Sequence, residues 1–186
     1  MTGSRSTLDT PFGPFTTLVD AEGVVLAAGF TADPDGELLP LVHPSLVPDE
    51  IVEIADLGPA TAAVLSWLDG DPGPVATVPV RQYGGAGIQE LWARMREVPA
   101  GTWVSYAELA ARAGRPQAPR TAGDACRRNA IGLFVPDHRV RRGDGSGGGY
   151  RWGLELKDRL RDAEAAWATP LVAPDEAEAA GARVEA

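Results

Sequence analysis

The sequence predicts an α+β fold in parts: a small N-terminal α/β domain with a linker over residues 1–86, a helical domain over residues 87–168, and a disordered tail over 169–186. Three observations predict it. Short runs rich in Val, Leu and Thr flank a turn near the N-terminus, as strands of a hairpin do. A linker with two glycines at Gln82 to Ala86 separates them from a stretch with helical periodicity that begins at Gly87. The tail is rich in Ala, Glu and Pro, a composition that buries too little apolar surface to order itself.

Thr16-Thr17-Leu18-Val19 and Val24-Val25-Leu26-Ala27-Ala28, joined through Asp20-Ala21-Glu22-Gly23, form the expected hairpin. Ile51, Ile54, Leu57, Ala60, Val64 and Leu68 recur near a 3.6-residue period, and Gly58-Pro59 splits them into two helices. After Asp69-Gly70-Asp71-Pro72-Gly73-Pro74 a strand is expected at Val75 to Val80, then a linker at Gln82 to Ala86. Ile88, Leu91, Trp92 and Met95 mark one face of a core helix. Ser105-Tyr106-Ala107-Glu108 is a capping box, in which Ser105 covers a free backbone N–H and Glu108 reaches back to the cap. It opens a helix through Ala113, stopped by Gly114-Arg115-Pro116. A second helix from Ala118 to Arg128 follows, and the pair reads as a helix-turn-helix. Ile131 to Val135 predicts a strand that presents Pro136-Asp137-His138, residues 141–149 a glycine-rich mobile loop, and Trp152 to Trp167 a last helix. The loop lacks the Lys-Ser/Thr ending of a phosphate-cradling P-loop, so no nucleotide is expected there.

With 186 residues, 44% of them hydrophobic, the chain suits one large or two small domains with a buried core. No run approaches the roughly 20 apolar residues of a membrane span, and no basic-then-apolar leader opens the chain, so a cytoplasmic location is expected. Cys126 is the single cysteine, and His43 and His138 stand far apart, so neither disulfide, metal site nor cofactor is expected.

The net charge of −9 speaks against a polyanion as partner, but its distribution does not. Residues 1–90 hold two basic side chains against thirteen acidic, whereas residues 91–161 hold fourteen against seven. Arg120 and Arg127, seven residues apart on one helix face, are followed by Arg128, Arg139, Arg141 and Arg142. Between residues 109 and 142 only Asp124 and Asp137 oppose them.

Phe134-Val135-Pro136-Asp137-His138-Arg139-Val140 resembles the active-site segment Pro-Cys-His-Arg-Val of the O6-alkylguanine-DNA alkyltransferases, with aspartate at the nucleophile position. Val104-Ser105-Tyr106-Ala107-Glu108-Leu109-Ala110 is similar to that family's Val-Ser-Tyr-x-x-Leu-Ala, and Pro119-Arg120-Thr121-Ala122-Gly123 to its Ala-Arg-Ala-Val-Gly. Asn129, Gly145, Tyr150, Gly153-Leu154, Lys157 and Glu164 continue the register, and Thr10-Pro11-Phe12-Gly13-Pro14 resembles the opening of its first domain.

The resemblance implies a winged-helix-like second domain that binds double-stranded DNA in the minor groove and turns an O6-alkylguanine into a pocket, as a monomer. It implies Arg120 as the finger that fills the vacated stack, Tyr106 as the residue that rotates the nucleotide, and Tyr150 in the pocket wall. Gly123, Arg127 and Arg128 complete the DNA- and base-binding set, joined by Arg151, which stands where the family has a small residue and offers a contact to phosphate or to guanine O6. Asn129 would tie the helix-turn-helix to the active site, and His138, polarised through water by Glu164, would activate the nucleophile. A thiolate suits attack on a saturated carbon, whereas Asp137, of reference pKa about 3.9, is a much poorer nucleophile. Self-alkylation at residue 137 is therefore not expected. Three readings stay open: a protein that binds the lesion without transfer and hands it to a repair partner, like the alkyltransferase-like proteins; a hydrolytic dealkylase using Asp137, with His138 and Glu164 activating water; or a regulatory or protein-interaction module on the same fold. Cys126 offers a substitute nucleophile, though a small groove-facing or core role is the simpler reading.

Overall fold

The computed structural model describes residues 2–168. Its strands and helices are β1 (Thr2–Thr10), β2 (Gly13–Val19), β3 (Val25–Phe30), α1 (Pro34–Glu37), β4 (Glu50–Glu53), α2 (Pro59–Leu68), α3 (Gly73–Thr77), α4 (Ala86–Arg96), β5 (Val104–Ser105), α5 (Tyr106–Arg112), α6 (Pro119–Arg127), β6 (Val140–Arg141) and α7 (Leu154–Ala168). The expected tail at 169–186 lies outside the described residues. The architecture is mixed α+β, as expected.

The first sheet runs β3-β2-β1-β4. Its β2–β3 hairpin is the expected one, closed where Asp20 accepts from the backbone N–H groups of Glu22 and Val24. β1 was not expected, since Leu8 is its one large apolar residue; its Ser and Thr positions are fitted to the pleat by ladders on both sides, antiparallel to β2 and parallel to β4. The helix expected at residues 51–57 is instead β4 and a loop. Ile51 pairs with Gly3 rather than turning into a helix, and only the segment after Gly58 is helical. The strand expected at 75–80 is instead helical through Thr77, the end of α3, which has Pro74 in its first turn, and only Val80 makes a bridge, to Val25.

The free edge of β3 joins the two parts of the chain. Val25 donates to Pro79 O at 2.9 Å and accepts from Arg81 N, while Ala28 N donates to Ala130 O at 2.9 Å and Ala28 O accepts from Gly132 N at 2.7 Å. The expected strand at 131–135 contributes only an Ile131 bridge to this edge. Beyond it the backbone coils through Leu133 at φ 68°, a conformation L residues seldom adopt. One apolar core runs from Phe15 and Trp67 to Leu91, Met95, Ile131 and Leu160.

The helical part follows its sequence signals closely. Ile88, Leu91, Trp92 and Met95 are the buried face of α4, and Trp92 Nε1 reaches Ala125 O on α6 at 2.9 Å. Ser105 caps α5: its hydroxyl accepts from Glu108 N at 3.1 Å, and the Glu108 carboxylate accepts from Ser105 N at 2.7 Å. α6 follows after a short turn. No helix among the described residues is long and apolar enough to cross a membrane.

Candidate functional site

A cavity of about 360 Å³ lies between α5, α6 and the loop before α7, lined by Tyr106, Gly123, Cys126, Arg127, Asp137, Gly149, Tyr150 and Arg151. This volume is within the range of about 300–1,000 Å³ typical of small-molecule sites. Asp137, Tyr106, Gly123, Arg127, Tyr150 and Arg151, separated by up to 45 positions, are thus brought to one wall-to-wall space. A Cβ on Gly123 would meet nothing within 4 Å, so that glycine leaves the cavity open without being forced by packing. Gly148, at φ 64°, is different: a Cβ there would stand 2.5 Å from the Tyr106 hydroxyl. Only a residue without a side chain lets the loop close on that phenol.

Asp137 begins a single 3₁₀ turn that ends at Arg139 and enters β6, which pairs in parallel with β5 immediately before α5. That pairing sets the aspartate beside Tyr106. Asn129 is 3% exposed and fixes Asp137: its Nδ2 donates to Asp137 Oδ1 at 3.1 Å and to Val135 O at 2.8 Å, while its Oδ1 accepts from Ile131 N. Gln82 of the linker supports this from behind, donating through Nε2 to Asn129 Oδ1 at 3.1 Å and accepting from Ala130 N at 2.8 Å. Burial is the main influence on Asp137 and raises its pKa above the usual carboxylate range, against the opposing fields of His138 and Lys157.

Next to Asp137 lies a buried ionic cluster centred on Glu164 of α7. His138 Nε2 meets Glu164 Oε1 directly at 3.0 Å, without the intervening water that the resemblance implied. A carboxylate only accepts, so Nε2 carries the hydrogen, and the buried Nδ1 has no protein partner among the described residues. Arg139 clamps the same carboxylate with Nε to Oε2 at 2.9 Å and Nη2 to Oε1 at 2.7 Å, and gives Nη1 to Val98 O. Trp67 Nε1 adds a bond to Oε1 at 3.0 Å from the N-terminal part of the chain. Burial alone would push Glu164 up, but His138 and then Arg139 overcome it and hold the carboxyl far below its ordinary range. Arg139, expected in the positive cluster, is therefore turned inward.

Lys157 was in register with the resemblance but had no assigned role. Its Nζ donates to Val140 O and Gly147 O, both at 2.6 Å, and to Gly149 O at 3.1 Å, fastening the glycine loop over the cavity. Burial lowers its pKa, and Asp137 works against that. Trp152 is a second missed element. Its indole fills the space over Gly29 of β3 and Gly132, where an added Cβ would fall 1.9 and 2.7 Å from ring atoms, and it packs edge-on against Tyr150 with centroids 5.3 Å apart. Arg151 is not free either, since Nη2 donates to Arg127 O at 2.7 Å. No local pattern marks Gln82, Trp67 or Trp152, whose partners lie 47 or more positions away in the first two cases and across two glycines in the third.

Two expected residues, Arg120 and Arg128, stand apart from the cavity lining. Arg120 is exposed in the first turn of α6. Arg127 lines the cavity but also pairs with Asp124 at 2.8 Å on the surface, so the positive face is partly compensated. Arg128 caps α6 and lines a small cleft with His43, Tyr83 and Arg81. Cys126 does line the cavity, yet burial first and Asp137 second push its thiol far above the ordinary range, which leaves little thiolate.

The family described as 6-O-methylguanine DNA methyltransferase, DNA binding domain, matches residues 88–166. The methylated-DNA–protein-cysteine methyltransferase of Mus musculus is 35% identical over 157 residues, which cover 80% of this chain and 74% of the mouse protein. The bifunctional transcriptional activator/DNA repair enzyme Ada of Escherichia coli is 43% identical over 89 residues, or 48% of this chain, and the match spans only 25% of Ada. The crystal structure of Mycobacterium tuberculosis OGT in complex with DNA superposes with a TM-score of 0.71, covering 90% of this chain and 96% of that one at 24% identity, a likeness of fold.

Proposed function

The chain belongs to the methylated-DNA–protein-cysteine methyltransferase family, and on that footing we propose that it binds double-stranded DNA and accepts an O6-alkylguanine turned out of the helix, without taking the alkyl group onto residue 137. Residues 87–168 form the DNA-binding unit in this reading. Arg120, exposed at the start of α6, is the side chain that enters the base stack. Tyr106, Gly123, Arg127, Tyr150 and Arg151 surround the flipped base, and Arg128 contacts the backbone.

The observation that carries the reading is the place of Asp137: a buried carboxyl at the base of the 360 Å³ cavity, beside the His138–Glu164 pair. Flipping costs a few kcal/mol and is cheapest for a damaged base. A cavity of this size, walled by two tyrosines, suits the recovery of that cost by stacking and hydrogen bonding. Asp137 supports the recognition part and not the transfer, because burial favours its neutral acid, which offers little carboxylate to attack a saturated carbon.

The test is binding to otherwise identical duplexes with and without O6-methylguanine at stated salt, followed by intact-protein mass measurement. The reading expects tighter binding to the methylated duplex and an unchanged protein mass. Equal affinity for both duplexes rejects lesion recognition, a methyl group found on the protein rejects the absence of transfer, and repeated repair of excess methylated DNA assigns a hydrolytic activity instead.

A further inference from the structure

Asp137 is 6% exposed, and its Oδ1 is engaged by the neutral amide of Asn129. Among the described residues no cation stands within ion-pair distance of it. The donors of Lys157 and Arg139 near it are committed elsewhere, and the fields of Lys157 and of His138, whose Nδ1 has no partner among the described residues, only partly offset the effect of burial. All three N–H groups of Lys157 are spent on the carbonyls of Val140, Gly147 and Gly149. His138 gives Nε2 to Glu164, Arg139 is divided between Glu164 and Val98 O, Arg151 reaches Arg127 O, and Arg127 pairs outward with Asp124.

The other titratable groups around the aspartate supply no compensating charge. Tyr106 on α5, Cys126 on α6 and Tyr150 on the loop all have their ionisation disfavoured by burial, and Glu164 on α7 adds negative charge. Tyr150 Oη, buried in the same wall, has no partner among the described residues. A buried carboxylate without a counter-ion takes up a proton, and the neutral acid is then a donor as well as an acceptor.

We propose that Asp137 recognises the alkylated base as a hydrogen-bond donor, giving its proton to an acceptor on the O6/N1 edge of the purine in the cavity. The inference rests on the preceding reading that this cavity receives an O6-alkylguanine. The chemistry of that edge gives the choice of substrate. In guanine N1 carries a hydrogen and donates; alkylation at O6 removes it and makes N1 an acceptor beside an ether oxygen. A neutral acid complements the alkylated edge, whereas an ionised carboxylate, which only accepts, complements unmodified guanine. Where the family's named reaction uses a cysteine, this position thus serves selection, and the selection weakens as Asp137 ionises.

The experiment uses the full chain with ¹³C-labelled aspartate carboxyls, the Asp137 signal being assigned by its loss in Asp137→Asn or Asp137→Cys. Carboxyl signals are followed against pH without DNA, and the affinity ratio for duplexes with and without O6-methylguanine is measured at the same pH values, so that general effects on DNA binding cancel. Asp137 is expected to stay protonated in neutral buffer, after the surface aspartates have ionised. The affinity ratio is expected to fall as Asp137 ionises, by up to about tenfold per pH unit. Asp137→Asn, whose amide donates at every pH, should keep a pH-independent ratio. Ionisation of Asp137 together with the surface aspartates overturns the inference, and a lesion preference that is then flat with pH leaves the pocket reading standing. A neutral Asp137 with equal affinity for both duplexes at every pH overturns both.

Discussion

His138 and Glu164 are in direct contact, Nε2 to Oε1 at 3.0 Å, with both side chains almost wholly buried. Twenty-six positions separate them, and the contact places the residue after Asp137 on the last helix. The same carboxylate holds Arg139 and Trp67, so it joins the 3₁₀ turn of the site to α2 of the N-terminal part. Its removal therefore has structural as well as chemical consequences.

Glu164→Gln should destabilise the protein by about 3–5 kcal/mol, because Arg139 stays buried without its counter-charge. The folded-state pKa of Glu164 is depressed, so its contribution is fully present above the unfolded value of about 4.3 and is lost as pH falls through the folded value. Chemical denaturation at pH 7 and at pH 3 checks both effects. The wild type should lose stability between those pH values, and the variant should lose less.

Asp137→Cys should convert the protein into a single-turnover acceptor. The thiol would stand beside His138, whose Nδ1 has no partner among the described residues, above the intact Glu164 cluster. Incubation with a duplex containing O6-methylguanine should add one methyl group per protein molecule, located at residue 137 by peptide mass spectrometry. No added methyl group in a folded variant would show that the surrounding residues no longer support transfer.

Arg120→Ala should weaken duplex binding about tenfold while leaving folding unchanged, since the side chain is exposed. A titration at fixed salt measures the first effect and thermal unfolding the second. Unchanged affinity would remove Arg120 from the proposed stack-filling role.

Gly29→Ala should cost about 1–3 kcal/mol, because its Cβ would meet the Trp152 ring at 1.9 Å. In combination with Trp152→Leu the loss should be smaller than the sum of the two single losses, as expected of residues in contact. A double-mutant cycle on unfolding free energies checks this. Strict additivity would mean that Trp152 moves aside freely and does not brace the cavity wall.

Where structure is specified by neighbours in sequence, it was legible. The Ser105–Glu108 capping box, the α4 stripe through Leu91 and Met95, the Gly23 turn of the hairpin and the Gly114 stop are each decided within a few residues by backbone sterics and local hydrogen bonds. β1, β4 and the 131–135 turn were not. Ile51 and Ile54 fit a helical period equally well, and only the ladder to Thr2–Arg5 makes the first of them a strand residue. Ile131 to Val135 reads as a strand, yet the free edge of β3 pairs with only its first residue and the chain turns at Leu133.

By itself the sequence determined the mixed α+β class, the helix-turn-helix pattern, the opposed charge of its two halves and the replacement of a thiol by Asp137. Tertiary structure alone decided what surrounds that carboxyl. Lys157, Arg139 and His138 all lie near it, and by charge alone any would have stabilised an ionised aspartate. The fold spends the Lys157 donors on loop carbonyls and turns Arg139 and His138 Nε2 to Glu164 instead, leaving Asp137 hydrogen-bonded to a neutral amide. The physical reason is that a buried group's charge state follows from which donors reach it, and those directions are set by helices and loops distant in the chain.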